Sequence, residues 1–193
     1  MNMSSKLEYI YKINAPRIED MLLPGIEEKI FPKNTYGSNT YMNYKVVDIL
    51  KPEYLNWLGI KWDFALVFYK TGGVGGKLHI DSPSSNSDST TTIWGINWIY
   101  GGYGHIHYWE FSDIDARYDV KDAQGFDVSH FTASKPPSRK YDLKTNTTYL
   151  VNGSIPHFPY GFERRFALSI RPFKYDTSWE RVVHRFMHVI TKD

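Results

Sequence analysis

The chain has no cysteine among its 193 residues. Disulfides, thiolate metal sites, cysteine nucleophiles and cysteine-ligated clusters are therefore excluded, and any bound metal must be held by His and carboxylate. Excess charge is also missing: 23 Lys and Arg against 21 Asp and Glu leave a formal net charge of +2. That is far from the concentrated basic surface that neutralises duplex phosphates, so the expected partner is a small-molecule or peptidyl substrate and not duplex nucleic acid. Long apolar runs are absent too. The first thirteen residues mix Lys6, Glu8 and Lys12 among their apolar side chains, unlike a signal peptide, and no other stretch approaches membrane-spanning length. A soluble cytoplasmic protein without membrane contact is expected. The Asn-x-Ser/Thr sequons at Asn146 and Asn152 then read as chance matches.

Aromatic residues are plentiful: 15 Tyr, 11 Phe and 6 Trp make 17% of the chain, with 14 Gly and 10 Pro spread along it. This composition favours strands and turns over a helix bundle, and the length suits one well-filled core, a single domain over 1–193. Residues 1–60 carry helix signals, at 16–23, 25–31 and 51–58, with Pro24 between the first two and Pro52 near the start of the third. They predict helical support packed on one sheet. The pattern then turns to short strands, at 63–69, 77–81, 91–100, 105–111, 148–151 and 165–172. The run 91–100 is apolar on both faces and predicts a central, doubly covered strand. The glycines at 101, 102 and 104 predict a hairpin turn into 105–111. Residues 113–144, polar and containing Pro136-Pro137, predict an irregular insertion or lid. In 177–190, Trp179, Val182, Val183, Phe186, Val189 and Ile190 recur at helical spacing and predict a closing helix.

The chemistry is concentrated at His79-Ile80-Asp81. Side chains at i and i+2 of a strand share a face, so His79 and Asp81 can bind one ion together. A third ligand must come from elsewhere, and His157 follows Asp81 by 76 residues. Two His and one carboxylate form the facial set of non-haem Fe(II) oxygenases, with coordination positions left open. Further on, 165–172 has a split face: Arg165, Ala167, Ser169 and Arg171 on one side, Phe166, Leu168 and Ile170 on the other. An Arg flanked by small residues suits a floor that binds a carboxylate.

With His79-x-Asp81, the downstream His157, and Arg165 eight residues later in an Arg-Phe-Ala-Leu-Ser strand, the chain resembles the Fe(II)/2-oxoglutarate-dependent dioxygenase family over 63–172. The strand 64–69 leading through a Gly-rich turn to His79, and Trp94-Gly95-Ile96-Asn97-Trp98 after it, add to the likeness. Among its members the small prolyl-hydroxylase-like and phage or bacterial types are most similar. The resemblance implies a mainly β double-stranded β-helix, a jelly roll of cupin-like type, flanked by the N-terminal helices and the C-terminal helix. It implies a catalytic Fe(II) held by His79, Asp81 and His157, with O2 and the co-substrate 2-oxoglutarate. Arg165 would grip the distal carboxylate of that co-substrate, with Tyr69, Asn97 and Ser169 as lesser contributors to its pocket. The reaction implied is decarboxylation of 2-oxoglutarate to succinate and CO2, coupled to oxidation of a substrate, in the simplest form its hydroxylation.

Other readings stay open at this level. Arg164 and Arg171 compete with Arg165, although Arg164 lies on the Phe166 face. His105-Ile106-His107, with Glu110 one residue too near for a cupin motif, offers with His157 a rival cupin-type metal site. A jelly-roll binding or structural module without turnover is the rival outside enzymes. Gly72 to Lys77 reads as a turn and not a phosphate loop, and His184 and His188 as a solvated helix face. The polar run 82–90 directly after the iron motif suits a substrate-gating loop. Because ligation needs neutral imidazoles, activity is expected to fall below about pH 6.

Overall fold

A computed structural model describes residues 7–30, 40–70, 72–81, 92–121, 127–176 and 178–191. The expected gating loop 82–90 lies outside the described residues, as do Phe31, Thr91 and Thr177 at the ends of expected elements. In chain order the elements are β1 (Ile10–Ile13), α1 (Ile18–Met21), α2 (Glu27–Ile30), β2 (Thr40–Lys45), β3 (Trp62–Lys70), β4 (Val74–Gly75), β5 (Trp94–Gly101), β6 (Gly104–Tyr108), β7 (Ala116–Lys121), β8 (Asp127–Thr132), β9 (Arg139–Leu143), β10 (Thr147–Asn152), β11 (His157–Gly161), β12 (Arg165–Pro172) and α3 (Trp179–Phe186).

One antiparallel sheet runs β1-β10-β5-β12-β3-β2 and a second β4-β11-β6-β9, with β7 and β8 paired as a ribbon. The ribbon meets the second sheet through the segment after β4. There His79 bridges His157 of β11 on one side and His130 of β8 on the other. The two sheets face one another across an apolar layer: Ile99, Tyr149, Val151 and Ala167 from the first meet Ile106, Tyr108 and Leu143 from the second. This is the mainly β, jelly-roll arrangement that the sequence predicts.

Strand β5 lies between β10 and β12, at the centre of its sheet as expected. Its alternate residues Trp94, Ile96 and Trp98 point away from the second sheet into another core, built with Ile18, Met21, Leu22, Ile49 and Leu50 and with Trp179, Val182 and Phe186 of α3. Helix α3 forms because those apolar residues recur once per turn and because Ser178 caps it, its hydroxyl accepting the Arg181 N–H at 3.4 Å. Phe186 then sets its ring edge-on to Trp94, 5.3 Å between centroids. Among the described residues no helix is long and apolar enough to cross a membrane.

Four local expectations differ from the structure. The glycine turn after β5 does not close a hairpin: β5 pairs with β10 and β12, β6 with β11 and β9. Gly101, at φ 77°, turns the chain from one sheet into the other. Residues 7–60 hold more than helical support. The helix signals give only the four-residue α1 and α2 and short 3-10 turns, too brief to stand without packing, while β1 and β2 become strands of the first sheet. Residues 113–144 are not irregular but supply β7, β8 and β9; their charged, exposed edge sequences mask the strand pattern. Residues 77–81 are bridged at His79 but bend at Leu78 and do not make a regular strand.

Candidate metal centre

The backbone around His79 and Asp81 is fixed by hydrogen bonds to distant segments. His79 N–H donates to the His157 carbonyl at 3.0 Å, His157 N–H to the His79 carbonyl at 2.8 Å, and Asp81 N–H to the Gly153 carbonyl at 2.9 Å. The three predicted ligands are thereby brought together. Asp81 Oδ1 lies 3.7 Å from His79 Nε2 and 3.7 Å from His157 Nε2, and the ligand atoms all lie within 4.8 Å of one another. Each imidazole is oriented from behind: His79 Nδ1 is 2.7 Å from the Lys77 carbonyl and His157 Nδ1 is 2.9 Å from that of Ile155. A carbonyl only accepts, so both rings carry their proton on Nδ1 and leave an Nε2 lone pair for an ion.

Asp81 is divided in the same way. Its Oδ2 accepts from Arg171 Nη2 at 2.8 Å, which leaves Oδ1 to the imidazoles. A Cβ at position 153 would collide with Oδ2, so the glycine there is what admits the carboxylate. Burial by itself raises the Asp81 pKa, but the Arg171 guanidinium and the two neighbouring imidazoles outweigh it and hold the carboxyl well below its usual range. Burial, with His79 close by, pushes the His157 imidazole down to about 4 against the pull of Asp81. An ionised carboxylate and a neutral imidazole are the states in which these groups ligate. Ligands at roughly 2.0–2.2 Å from one ion stand about 3 Å apart in adjacent positions, so shifts of under about 1 Å would close the set on a divalent cation. Two nitrogens and one oxygen suit a non-haem iron and leave positions open.

Arg165 lies on the same face of β12 as Arg171, at the other end of the strand. It is 4% exposed, its Nη1 has no hydrogen-bond partner, and it has no ion partner among the described residues. Burial lowers its pKa to about 10. A Cβ at position 104 would collide with Nη1 and with the Tyr160 carbonyl, so Gly104 makes the room this guanidinium occupies. Between the two arginines, Ser169 pairs with Asn97 of β5, and Ser169 Oγ and Asn97 Oδ1 are both buried without a partner among the described residues. An uncompensated cation and unpartnered polar atoms on one buried face are chemically suited to a polar, anionic group.

Three sequence expectations are corrected by the pairing. Tyr69 pairs with Phe166, their rings 4.9 Å apart, and so lies on the face of β12 opposite Arg165. Arg171 is no rival anchor, because its charge is committed to Asp81, while Arg164 lies over the Tyr69 ring at 5.3 Å. The cupin-type set does not assemble: Tyr108 is opposite His157 and Phe158 opposite His107, so His105 and His107 face away from His157. His105 instead places Nδ1 2.7 Å from Asp142. Sequence reasoning missed Arg171 as the partner of Asp81, Gly104 and Gly153 as the spaces beside charged groups, and Tyr108, whose buried hydroxyl lacks a partner among the described residues and whose ring lies 5.6 Å from His157. A glycine directly after Asn152 was the available signal for Gly153; the others follow only from cross-strand register.

No protein-family profile matches the chain, and no curated protein matches it in sequence. Among solved structures it is similar in part to two of Escherichia coli YcfD. One, titled a structure of ycfD, is 13% identical at a TM-score of 0.37, covering 60% of this chain and 27% of that one. The other, titled a ribosomal oxygenase, is 10% identical at 0.37, covering 64% and 26%. The chain thus spans about a quarter of the length of those chains. A likeness of that degree carries no weight for activity, and the fold rests on the strand pairing itself.

Proposed function

We propose that the protein is an Fe(II)- and 2-oxoglutarate-dependent oxygenase that hydroxylates a small-molecule or peptidyl substrate. The observation that carries this reading is the convergence of His79 Nε2, Asp81 Oδ1 and His157 Nε2 within 4.8 Å. Bound there, Fe(II) would supply the oxidising chemistry, using O2 and the decarboxylation of 2-oxoglutarate to succinate and CO2. The rest falls to the chain. His79 and His157 offer neutral Nε2 atoms because the Lys77 and Ile155 carbonyls hold their protons on Nδ1. Arg171 keeps Asp81 ionised and turned so that one oxygen serves the ion. An ion and two buried guanidiniums set against one carboxylate leave the site strongly positive, which favours a dianionic co-substrate. Arg165 is the buried cation free to take its distal carboxylate in a bidentate pair, with Asn97 and Ser169 as hydrogen-bonding neighbours.

The test is succinate release from 2-oxoglutarate by the full-length protein with Fe(II), O2 and ascorbate, beside a calorimetric Mn(II) titration. We expect one ion per chain and slow succinate formation even without substrate, both lost in Asp81→Ala. Wild-type protein that neither binds Mn(II) nor forms succinate overturns the reading.

A further inference from the structure

We propose that His130 and Tyr118 of the β7–β8 ribbon form the recognition wall beside the metal centre, binding an uncharged amide or hydroxyl group of the substrate next to His79. The proposal rests on the oxygenase reading for what the neighbouring site does, but not for the geometry. His79 is bridged on one side to His157 and on the other to His130, and residues directly opposite in antiparallel pairs share a face. His130 in turn pairs with Tyr118, and His157 with Tyr108. One row across the sheet thus reads Tyr118, His130, His79, His157, Tyr108. The bonds beside His79 and His130 run from Phe131 N–H to the Leu78 carbonyl (2.9 Å) and from Ile80 N–H to the Ser129 carbonyl (3.2 Å), flanking the pair instead of joining it. Pairs of that kind bring their side chains closest, with Cα atoms about 4.5 Å apart.

His130 sits beside the ligand cluster without belonging to it, since the atoms that converge are those of His79, Asp81 and His157. Its ring is set edge-on to Tyr118, 5.7 Å between centroids, and Tyr118 is 42% exposed. Its Nδ1 is buried and has no hydrogen-bond partner among the described residues. A buried polar nitrogen left unpaired costs free energy that a ligand's hydrogen bond recovers, and sites built this way reject analogues lacking the matching group. One imidazole nitrogen offers a single hydrogen bond and no net charge, so an amide or hydroxyl fits it without burying a second charge. The exposed phenol ring beside it gives such a group a flat surface on which to rest its apolar part.

The test uses 15N-labelled full-length protein loaded with Zn(II), a diamagnetic stand-in, and follows the histidine side-chain nitrogens by NMR. Zinc should move Nε2 of His79 and His157 to metal-bound values and leave His130 near its free position. Millimolar N-acetylglycine methylamide as the amide probe, or glycerol as the hydroxyl probe, should then shift His130 Nδ1 and the Tyr118 ring. His130→Ala should weaken the Tyr118 response about tenfold, and His130→Asn, whose amide lies near the position of Nδ1, should restore most of it. A zinc-bound shift at His130 would make it a fourth ligand and overturn the proposal, as would a His130 that answers neither probe in the zinc-loaded protein. Zinc that leaves His79 and His157 unmoved would instead bring down the oxygenase reading, and the recognition wall with it.

Discussion

On strands β5 and β12, the residues turned toward the N-terminal segment and α3 are Trp94, Ile96, Trp98, Leu168 and Ile170, all buried in apolar surroundings. The residues between them, turned toward the second sheet, include Gly95, Asn97, Arg165, Ser169 and Arg171. The same two strands therefore bury a hydrocarbon surface on one side and two guanidiniums with unpaired polar atoms on the other. The first arrangement stabilises the fold by removing apolar area from water. The second lowers stability in the empty protein, because buried charge and orphaned polar groups lose hydration without full compensation. Stability drawn from one face allows reactive, poorly satisfied groups to persist on the other.

The comparison is tested most severely by Asp81→Ala. It removes the oxygen donor and strands Arg171 as an unpaired buried charge, so Mn(II) binding should vanish and urea unfolding should show a loss of about 3–5 kcal/mol. Adding Arg171→Met should recover much of that stability and none of the metal binding; if metal binding returns, Asp81 is not a ligand. Trp94→Ala, on the apolar face, should cost about 3–5 kcal/mol of stability while Mn(II) affinity per folded molecule stays within twofold. A tenfold loss of affinity there would show that the faces are not independent.

Acid should act mainly on the polar face. The ordinary imidazole value places the loss of ligation below about pH 6, but burial takes His157 down to about 4. A folded-state pKa below the unfolded value of about 6.5 means that the unfolded chain binds the extra proton first. The stabilising contribution is thus complete above about 6.5 and is lost as pH falls toward 4, by up to about 3 kcal/mol in the metal-free protein. Urea unfolding at pH 7, 5.5 and 4.5 should show this slope, and His157→Gln should flatten it. The smallest effect on stability is expected from Arg165→Met. Removing an unpaired buried charge should raise stability by about 1 kcal/mol while weakening 2-oxoglutarate binding tenfold or more. Equal weakening in Trp94→Ala would remove the distinction between the faces.

Much of the candidate site is legible in the chain because it depends on short spacings. His79-x-Asp81 holds its shared side even without a regular strand, and the alternation of 165–172 places Arg165 with Ser169 and Arg171. The stripe of α3 follows equally from its 3.6-residue period. Features that depend on which strand lies opposite are illegible. Tyr69 lies near His79 in the chain, yet its pairing with Phe166 turns it to the other face. The turn after β5 looks like a hairpin, because local glycine chemistry does not say to which sheet the next strand belongs. Ala116–Lys121 reads as a loop because Ala116, Arg117, Tyr118 and Asp119 are all exposed and its charges hide the period of two. His130 has no local signal at all, and only its bridge to His79 places it.

By itself the sequence determined the inventory and the local periods: no thiol ligands, three groups of a kind that can hold a metal ion, an arginine among small residues, and an amphipathic last helix. The tertiary structure decided how those groups are used. Whether Arg171 grips Asp81 or a co-substrate, whether His105 and His107 join His157, and whether His157 is neutral in mild acid all depend on cross-strand register and depth of burial. Those follow from contacts between residues scores of positions apart, which no local spacing encodes.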